Sequence, residues 1–187
     1  YIMKLKEKRI AILATDGFEQ SELFEPLEKL KSEGATVDIV STKEGEIKSW
    51  NKTDWGKSIK VDKTVDSAHI LDYDALVLPG GVMNPDTLRT HTVAVNFVKG
   101  FFERSKPVAA ICHAPWLLIE AEVIDGRKVT SYKSIKKDVI NAGGLWEDNE
   151  VVVDSGLVTS RNPGDLPAFC NKIVEEVLEG KHEEQHA

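Results

Sequence analysis

The stretch VAAICHAPW, residues 108–116, sets Cys112 at the end of an apolar run, with Ala110 two positions before it and Ala114 two positions after. A strand that turns at once into a helix passes through a tight, often strained junction, and small residues at those two positions relieve the crowding. A thiol at such a junction faces a helix N-terminus, whose unpaired N–H groups and dipole favour the thiolate. Pro115 suits the first helical turn, where no N–H is required. The same residues also suit a core cysteine, since free cysteine is among the most buried residue types. The stretch alone leaves both readings open. Cys170 lies within a helical apolar stripe and reads as core. His113 follows Cys112 directly. Neighbours on a helix point apart, so His113 is either a base that needs an orienting carboxylate from elsewhere or a polar residue at a helix start.

Two other segments could complete a site. DALVLPGG (74–81) ends a buried run in Pro-Gly-Gly, and the amides of Gly80 and Gly81 could approach a ligand closely enough to form an oxyanion hole. The alternative is a simple turn. DGFEQSE places Glu19 just after the first strand. A carboxyl packed near a thiolate is pushed towards its protonated form and can donate a hydrogen bond to sulfur. The alternative is a solvated acid at a helix start. HEEQH (182–186) matches the zinc-protease spacing but lies beyond Gly180 at the end of the sequence, so no metal site is expected.

The elements that must position these residues alternate. RIAILAT (9–15) is a buried strand, followed by a helix carrying Leu23, Leu27 and Leu30 and closed by Gly34. TVDIVST is the next strand. Residues 43–65 are polar and read as one or two short strands or a hairpin. Further strands are expected at DALVL, PVAAIC, KVTSY and VVVDSGLVTSR, the last as a strand or hairpin. Helices are expected at 92–105, at PWLLIEAEVI, at KSIKKDVINAGG and from Asp165 to Gly180. This β-α-β order predicts an α/β sandwich with a parallel sheet, whose ligands sit beyond the carboxyl ends of the strands. That rule brings DGFEQ, PGG and CHAP together, and with all three at one edge CHAP reads as a nucleophile elbow.

The 187 residues suit one domain (1–187), with a core over about 8–180 and a polar, frayed tail at 181–187. A net charge of −7 argues against nucleic acid or an anionic membrane as partner. Two cysteines do not make a disulfide framework. The opening YIMKLKEKRIAILAT reads as a first strand rather than a signal peptide, and no run is long enough to span a bilayer. A cytoplasmic location is therefore expected. No cofactor is called for, since no Walker or Rossmann glycine fingerprint is present.

ALVLPGG, VAAICHAP and the run GRKVTSYKSIKKDVINAGGLWEDNEVVVDSGLVTSRNPGDLPAF together resemble the PfpI-type intracellular peptidase/amidase family, in the superfamily of the parkinsonism-linked deglycase. The resemblance covers about residues 8–179. It implies a flavodoxin-like three-layer sandwich, mostly parallel, and a homodimer or larger oligomer. It carries the nucleophile to Cys112, its neighbour to His113, the cysteine-contacting glutamate to Glu19, and the oxyanion donors to amides around Gly80, Gly81 and His113. In peptidase-like members an acidic residue after PGG reaches the histidine from an adjacent subunit, and its best match here is Asp86, in PGGVMNPD, with a shorter side chain. Ala114 stands where many relatives have glycine.

The resemblance implies three functions. The leading one is a carbonyl-stress enzyme, a glutathione-independent glyoxalase or deglycase, in which Cys112 attacks a small carbonyl or glycated protein in a pocket closed by Trp116. The second is a cysteine peptidase or amidase. The third is a non-enzymatic redox-sensing or chaperone protein.

Overall fold

The computed structural model describes residues 2–185. In chain order the elements are β1 (Arg9–Leu13), β2 (Phe18–Glu19), α1 (Gln20–Ser32), β3 (Thr36–Ser41), β4 (Glu46–Asn51), β5 (Asp54–Lys60), β6 (Lys63–Thr64), β7 (Ala75–Leu78) and α2 (Met83–Leu88). They continue with α3 (Thr92–Glu103), β8 (Val108–Ile111), α4 (Pro115–Glu120), β9 (Lys128–Val129), α5 (Lys136–Asn141), β10 (Leu145–Trp146), β11 (Val152–Asp154), β12 (Leu157–Ser160) and α6 (Leu166–Glu179).

Seven strands form the central sheet in the order β11-β12-β8-β7-β1-β3-β6. All neighbours are parallel except β11 and β12, which make an antiparallel hairpin at the edge. Alternation along β1 divides the core. Ile10 and Ile12 point into a layer built with α1 and α6, while Ala11 and Leu13 point into one built with α3 and α4. Because both faces are covered, the central strands are continuous apolar runs rather than alternating ones. The protein is thus a three-layer, mostly parallel α/β sandwich of flavodoxin-like type. The order places β7 between β1 and β8, so the PGG loop lies between the loop after the first strand and the cysteine turn.

Residues 43–65 contain the expected hairpin, β4–β5, which pairs with β2 in a separate three-stranded sheet. Other elements differ from their sequence-based expectations. The helix expected over PWLLIEAEVI stops at Glu120, and Glu122 adopts φ 58°. Of KVTSY only Lys128–Val129 is strand, paired with β10 outside the main sheet. The described part of the tail, 181–185, is docked rather than frayed: Gln185 is buried, its side chain bonds Arg127 and the Lys106 carbonyl, and the His182 amide donates to the Ser105 carbonyl. A buried amide side chain must be hydrogen-bonded, and these partners satisfy it. Within HEEQH, His182 instead faces Glu176 at 2.7 Å, and His186 lies outside the described residues. Among the described residues, no helix is long and apolar enough to cross a membrane.

Candidate active site

Cys112 follows β8 with φ 64°, a left-handed backbone that costs a residue bearing a Cβ. The turn is held from both sides: the Cys112 amide donates to the Ser160 carbonyl at 3.1 Å and the Ala114 amide to the Ile111 carbonyl at 3.0 Å. Helix α4 begins only at Pro115, so His113 belongs to the elbow and the helical rule separating adjacent side chains does not govern it. Its Nδ1 lies 3.1 Å from Cys112 Sγ. The other ring nitrogen, Nε2, lies 3.2 Å from Ser134 Oγ. Tyr132 stacks on the imidazole, with ring centroids 4.7 Å apart, and Trp116 meets it edge-on at 5.1 Å. Burial holds the His113 pKa below its ordinary value.

The carboxyl facing the thiol belongs to Glu22, not to Glu19 as expected from the sequence. Glu19 has extended backbone angles and caps α1, and its half-buried side chain lines the cavity beside the cysteine. Glu22, in the first turn of that helix, is fully buried and falls on the same helix face as Leu23, Pro26, Leu27 and Leu30. Its Oε1 accepts from the Gly80 amide at 3.0 Å, its Oε2 has no hydrogen-bond partner among the described residues, and the carboxyl lines the cavity beside Cys112. Burial, reinforced by the charge of Glu19, pushes the Glu22 pKa up to about 8. The thiol is also pushed up, first by burial and then by Glu22, while the amides of Gly81 and His113 oppose the shift. Burial therefore outweighs the expected stabilisation of a resting thiolate by the helix start. A protonated Glu22 removes one of the causes that raise the thiol, so the two groups titrate as a unit.

The glycines are required by space. A Cβ on Gly80 would lie 2.6 Å from both Cys112 Cβ and Glu22 Oε1 and 2.7 Å from the Ile111 carbonyl oxygen. Gly81 has φ 83°, and a Cβ there would lie 2.6 Å from the Gly17 carbonyl oxygen. Since the Gly80 amide is engaged by Glu22, the amides left facing the sulfur are those of Gly81 and His113. Asn84, fully buried, ties the loops together. Its Oδ1 accepts from the Thr15 amide at 2.8 Å, and its Nδ2 donates to the carbonyls of Pro79 at 2.9 Å and Gly80 at 3.1 Å.

Glu19, Glu22, Gly81, Cys112 and His113 line a cavity of about 480 Å³ that also takes in Trp50, Lys52, Tyr132, Ser134 and Pro163. Trp50 and Lys52 come from the β4–β5 hairpin, which the sequence left without a role. Trp116, expected to close the pocket, is instead behind His113 and donates to Asp138 at 3.0 Å. Asp86 is exposed, pairs with Arg89 at 3.0 Å and is not among the cavity-lining residues.

A mostly parallel α/β sandwich with a cysteine in a left-handed elbow, flanked by an imidazole and a buried carboxyl, defines a class of protein by its fold and by the place of that cysteine. The chain belongs to the DJ-1/PfpI family, which residues 8–176 match. It is 46% identical over 166 residues to the deglycase PfpI of Pyrococcus furiosus, covering 89% of this chain and 97% of that one. It is also 46% identical over 168 residues to protein/nucleic acid deglycase 2 of Escherichia coli, covering 89% and 96%. A crystal structure of a two-domain protein from Anabaena variabilis with DJ-1/ThiJ/PfpI-like and ferritin-like domains superimposes with a TM-score of 0.87 at 37% identity. That match covers 91% of this chain and 48% of the two-domain protein. These relatives support an enzyme of the family.

Proposed function

We propose that the protein is a cysteine-dependent enzyme acting on reactive carbonyls, of the deglycase and glyoxalase type. The observation carrying this reading is the placement of one thiol between an acid held neutral and a neutral base: Glu22 on one side, His113 Nδ1 at 3.1 Å on the other. Environments that push two titratable groups in opposite directions assign the acid and base roles.

The thiol proton passes to His113 Nδ1, and the sulfur adds to the carbonyl carbon as the C–O π bond opens. The amides of Gly81 and His113 face the developing charge, and the alkoxide takes a proton back to give a hemithioacetal. With a dicarbonyl, neutral His113 then takes the proton from the hemithioacetal carbon while Glu22 donates its proton to the adjacent carbonyl oxygen; return of the first proton to the second carbon, and of the hydroxyl proton of the first carbon to Glu22, leaves a thioester that water hydrolyses to the hydroxy acid. A cavity of about 480 Å³ exceeds what a small dicarbonyl fills, which supports adducts carried on a larger molecule as substrates. The names of the two deglycase relatives support the same class.

A peptidase reading needs a carboxylate to orient His113. Within this chain Asp86 is held by Arg89 instead, so that reading rests on a second subunit supplying it.

The test is NMR of methylglyoxal incubated with wild type, Cys112→Ser and Glu22→Gln. Lactate from wild type alone supports the reading. Normal turnover by Cys112→Ser, or none by a folded, reduced wild type on either methylglyoxal or a methylglyoxal-treated peptide, overturns it.

A further inference from the structure

We propose that Ser134 is the positioning residue for His113: its hydroxyl fixes the imidazole so that Nδ1 faces the sulfur, a task the family resemblance would give to an acidic residue of a second subunit. The inference rests on the reading of Cys112 as the nucleophile.

Three observations on one short segment carry it. Ser134 Oγ is 3.2 Å from Nε2, the ring nitrogen opposite the one that meets the sulfur. The segment is fixed to the elbow, because the Tyr132 amide donates to the Cys112 carbonyl at 2.8 Å and the Ile135 amide to the Tyr132 carbonyl at 3.1 Å. The Tyr132 ring lies nearly parallel to the imidazole, at 27°. Tyr132 therefore sets the plane of the ring and Ser134 sets its rotation within that plane. The partner made by the second ring nitrogen decides which tautomer the first presents.

A hydroxyl differs from a carboxylate in its charge. It accepts from Nε2–H when Nδ1 is the free base facing the thiol, and it goes on accepting once Nδ1 has taken the thiol proton, because both nitrogens of the imidazolium donate. It does so without adding negative charge. A carboxylate at this place would favour the imidazolium and raise the histidine pKa. A hydroxyl leaves the ring neutral, as a base that removes the thiol proton must be.

The experiment uses the full chain with Cys170→Ala, so that Cys112 alone is alkylated. Iodoacetamide rates are followed against pH in this background and with Ser134→Ala, Ser134→Thr, Ser134→Asp and Asp86→Asn added, alongside 1H–15N NMR of the His113 ring. Ser134→Ala should slow alkylation about 10- to 100-fold near neutral pH, the cost of a misplaced reacting group. It should also mix the ring tautomers. Threonine should restore both, aspartate should move the acid limb to higher pH, and Asp86→Asn should match its background. An unchanged rate and unchanged ring resonances in Ser134→Ala, or a larger effect from Asp86→Asn, overturn the assignment. Lactate assays on the same proteins separate the two conclusions. Ser134-dependent alkylation without turnover would reject only the carbonyl reading. Turnover with no effect of Ser134 would reject only the positioning role.

Discussion

Glu22 and Cys112 face each other across the PGG loop: the Gly80 amide is 3.0 Å from Glu22 Oε1, and a Cβ on Gly80 would lie 2.6 Å from both that oxygen and Cys112 Cβ. The carboxyl is useful while neutral, since only then can it donate to sulfur, and with its pKa raised to about 8 it is neutral at pH 7. Turnover should fall as pH rises through about 8. Glu22→Gln should lower kcat/KM by about 100-fold or more, and Glu19→Gln by less than about 10-fold, since Glu19 faces the cavity but not the thiol. Steady-state lactate formation in the two variants checks this. Equal losses would return the acid role to Glu19.

The same shift has a consequence for stability. A carboxyl whose folded pKa lies above its unfolded value binds its proton more tightly in the folded protein. Its contribution is present in full below the unfolded value, near 4.5, and is lost as pH rises towards about 8. Glutamine keeps the neutral shape at every pH. The melting temperature of Glu22→Gln should therefore gain on wild type between pH 5 and pH 8. Scanning calorimetry at four pH values would show it, and a constant gap would mean that Glu22 is already ionised in the folded protein.

Gly80 shows how little room the site leaves. A methyl there meets Cys112 Cβ and Glu22 Oε1 at 2.6 Å and backbone at 2.7 Å. The contacts cannot all give way, because the backbone one belongs to the end of β8. Gly80→Ala should destabilise by about 1–3 kcal/mol, as overpacking does, and abolish turnover by displacing the sulfur. Urea unfolding with iodoacetamide labelling separates the two effects. A stable, fully active variant would show that the loop moves freely.

Much of this arrangement is legible in the sequence, and the failures have identifiable causes. Buried strands at RIAIL, ALVL and VAAI are continuous apolar runs, and their order places DGFEQ, PGG and CHAP at one sheet edge. Spacing along the loop after β1 is less informative. Glu19 and Glu22 both follow a strand, and only the helix start at Gln20 decides that the second turns inward. The signal was available in the helical period, since Glu22 falls on the face of Leu23, Pro26, Leu27 and Leu30. The approach of His113 to Cys112 depends on the φ of 64° at the cysteine, which no periodicity reports. Ser134, Tyr132 and the hairpin residues reach the cavity through tertiary contacts alone. A polar tail gave no sign that Gln185 would be buried, because its partners at Lys106 and Arg127 are distant in the chain.

Asn84 is the residue on which the relative position of the loops depends. Removing its side chain leaves the Thr15 amide and the Pro79 carbonyl without the partners they now have, while the Gly80 carbonyl keeps the Glu19 amide at 3.2 Å. Each buried unsatisfied group costs about 1–3 kcal/mol. Asn84→Ala should therefore rank among the most destabilising single changes, and the surviving folded fraction should have lost turnover. Asn84→Asp keeps the acceptor for Thr15 but sets a carboxylate against two carbonyls, so it should not rescue. Denaturant midpoints of the two variants test the point, and a rescue by aspartate would show that only the Thr15 contact matters.

The hairpin is predicted to control substrate choice rather than chemistry. Trp50 packs edge-on against Trp55 at 5.5 Å, and its indole N–H donates to the Lys52 carbonyl at 3.0 Å, holding the turn that carries Lys52 into the cavity wall. Neither side chain is among the partners of the thiol, the imidazole or Glu22. Trp50→Ala should thus raise KM for a methylglyoxal-treated peptide by about 10-fold while leaving kcat for free methylglyoxal within about 2-fold, the signature of lost binding without lost transition-state contact. Parallel kinetics on the two substrates provide the check. A fall in kcat on both would place the hairpin in the catalytic arrangement itself, because only a displaced reacting group, and not a weakened wall, slows the chemistry of a substrate too small to touch it.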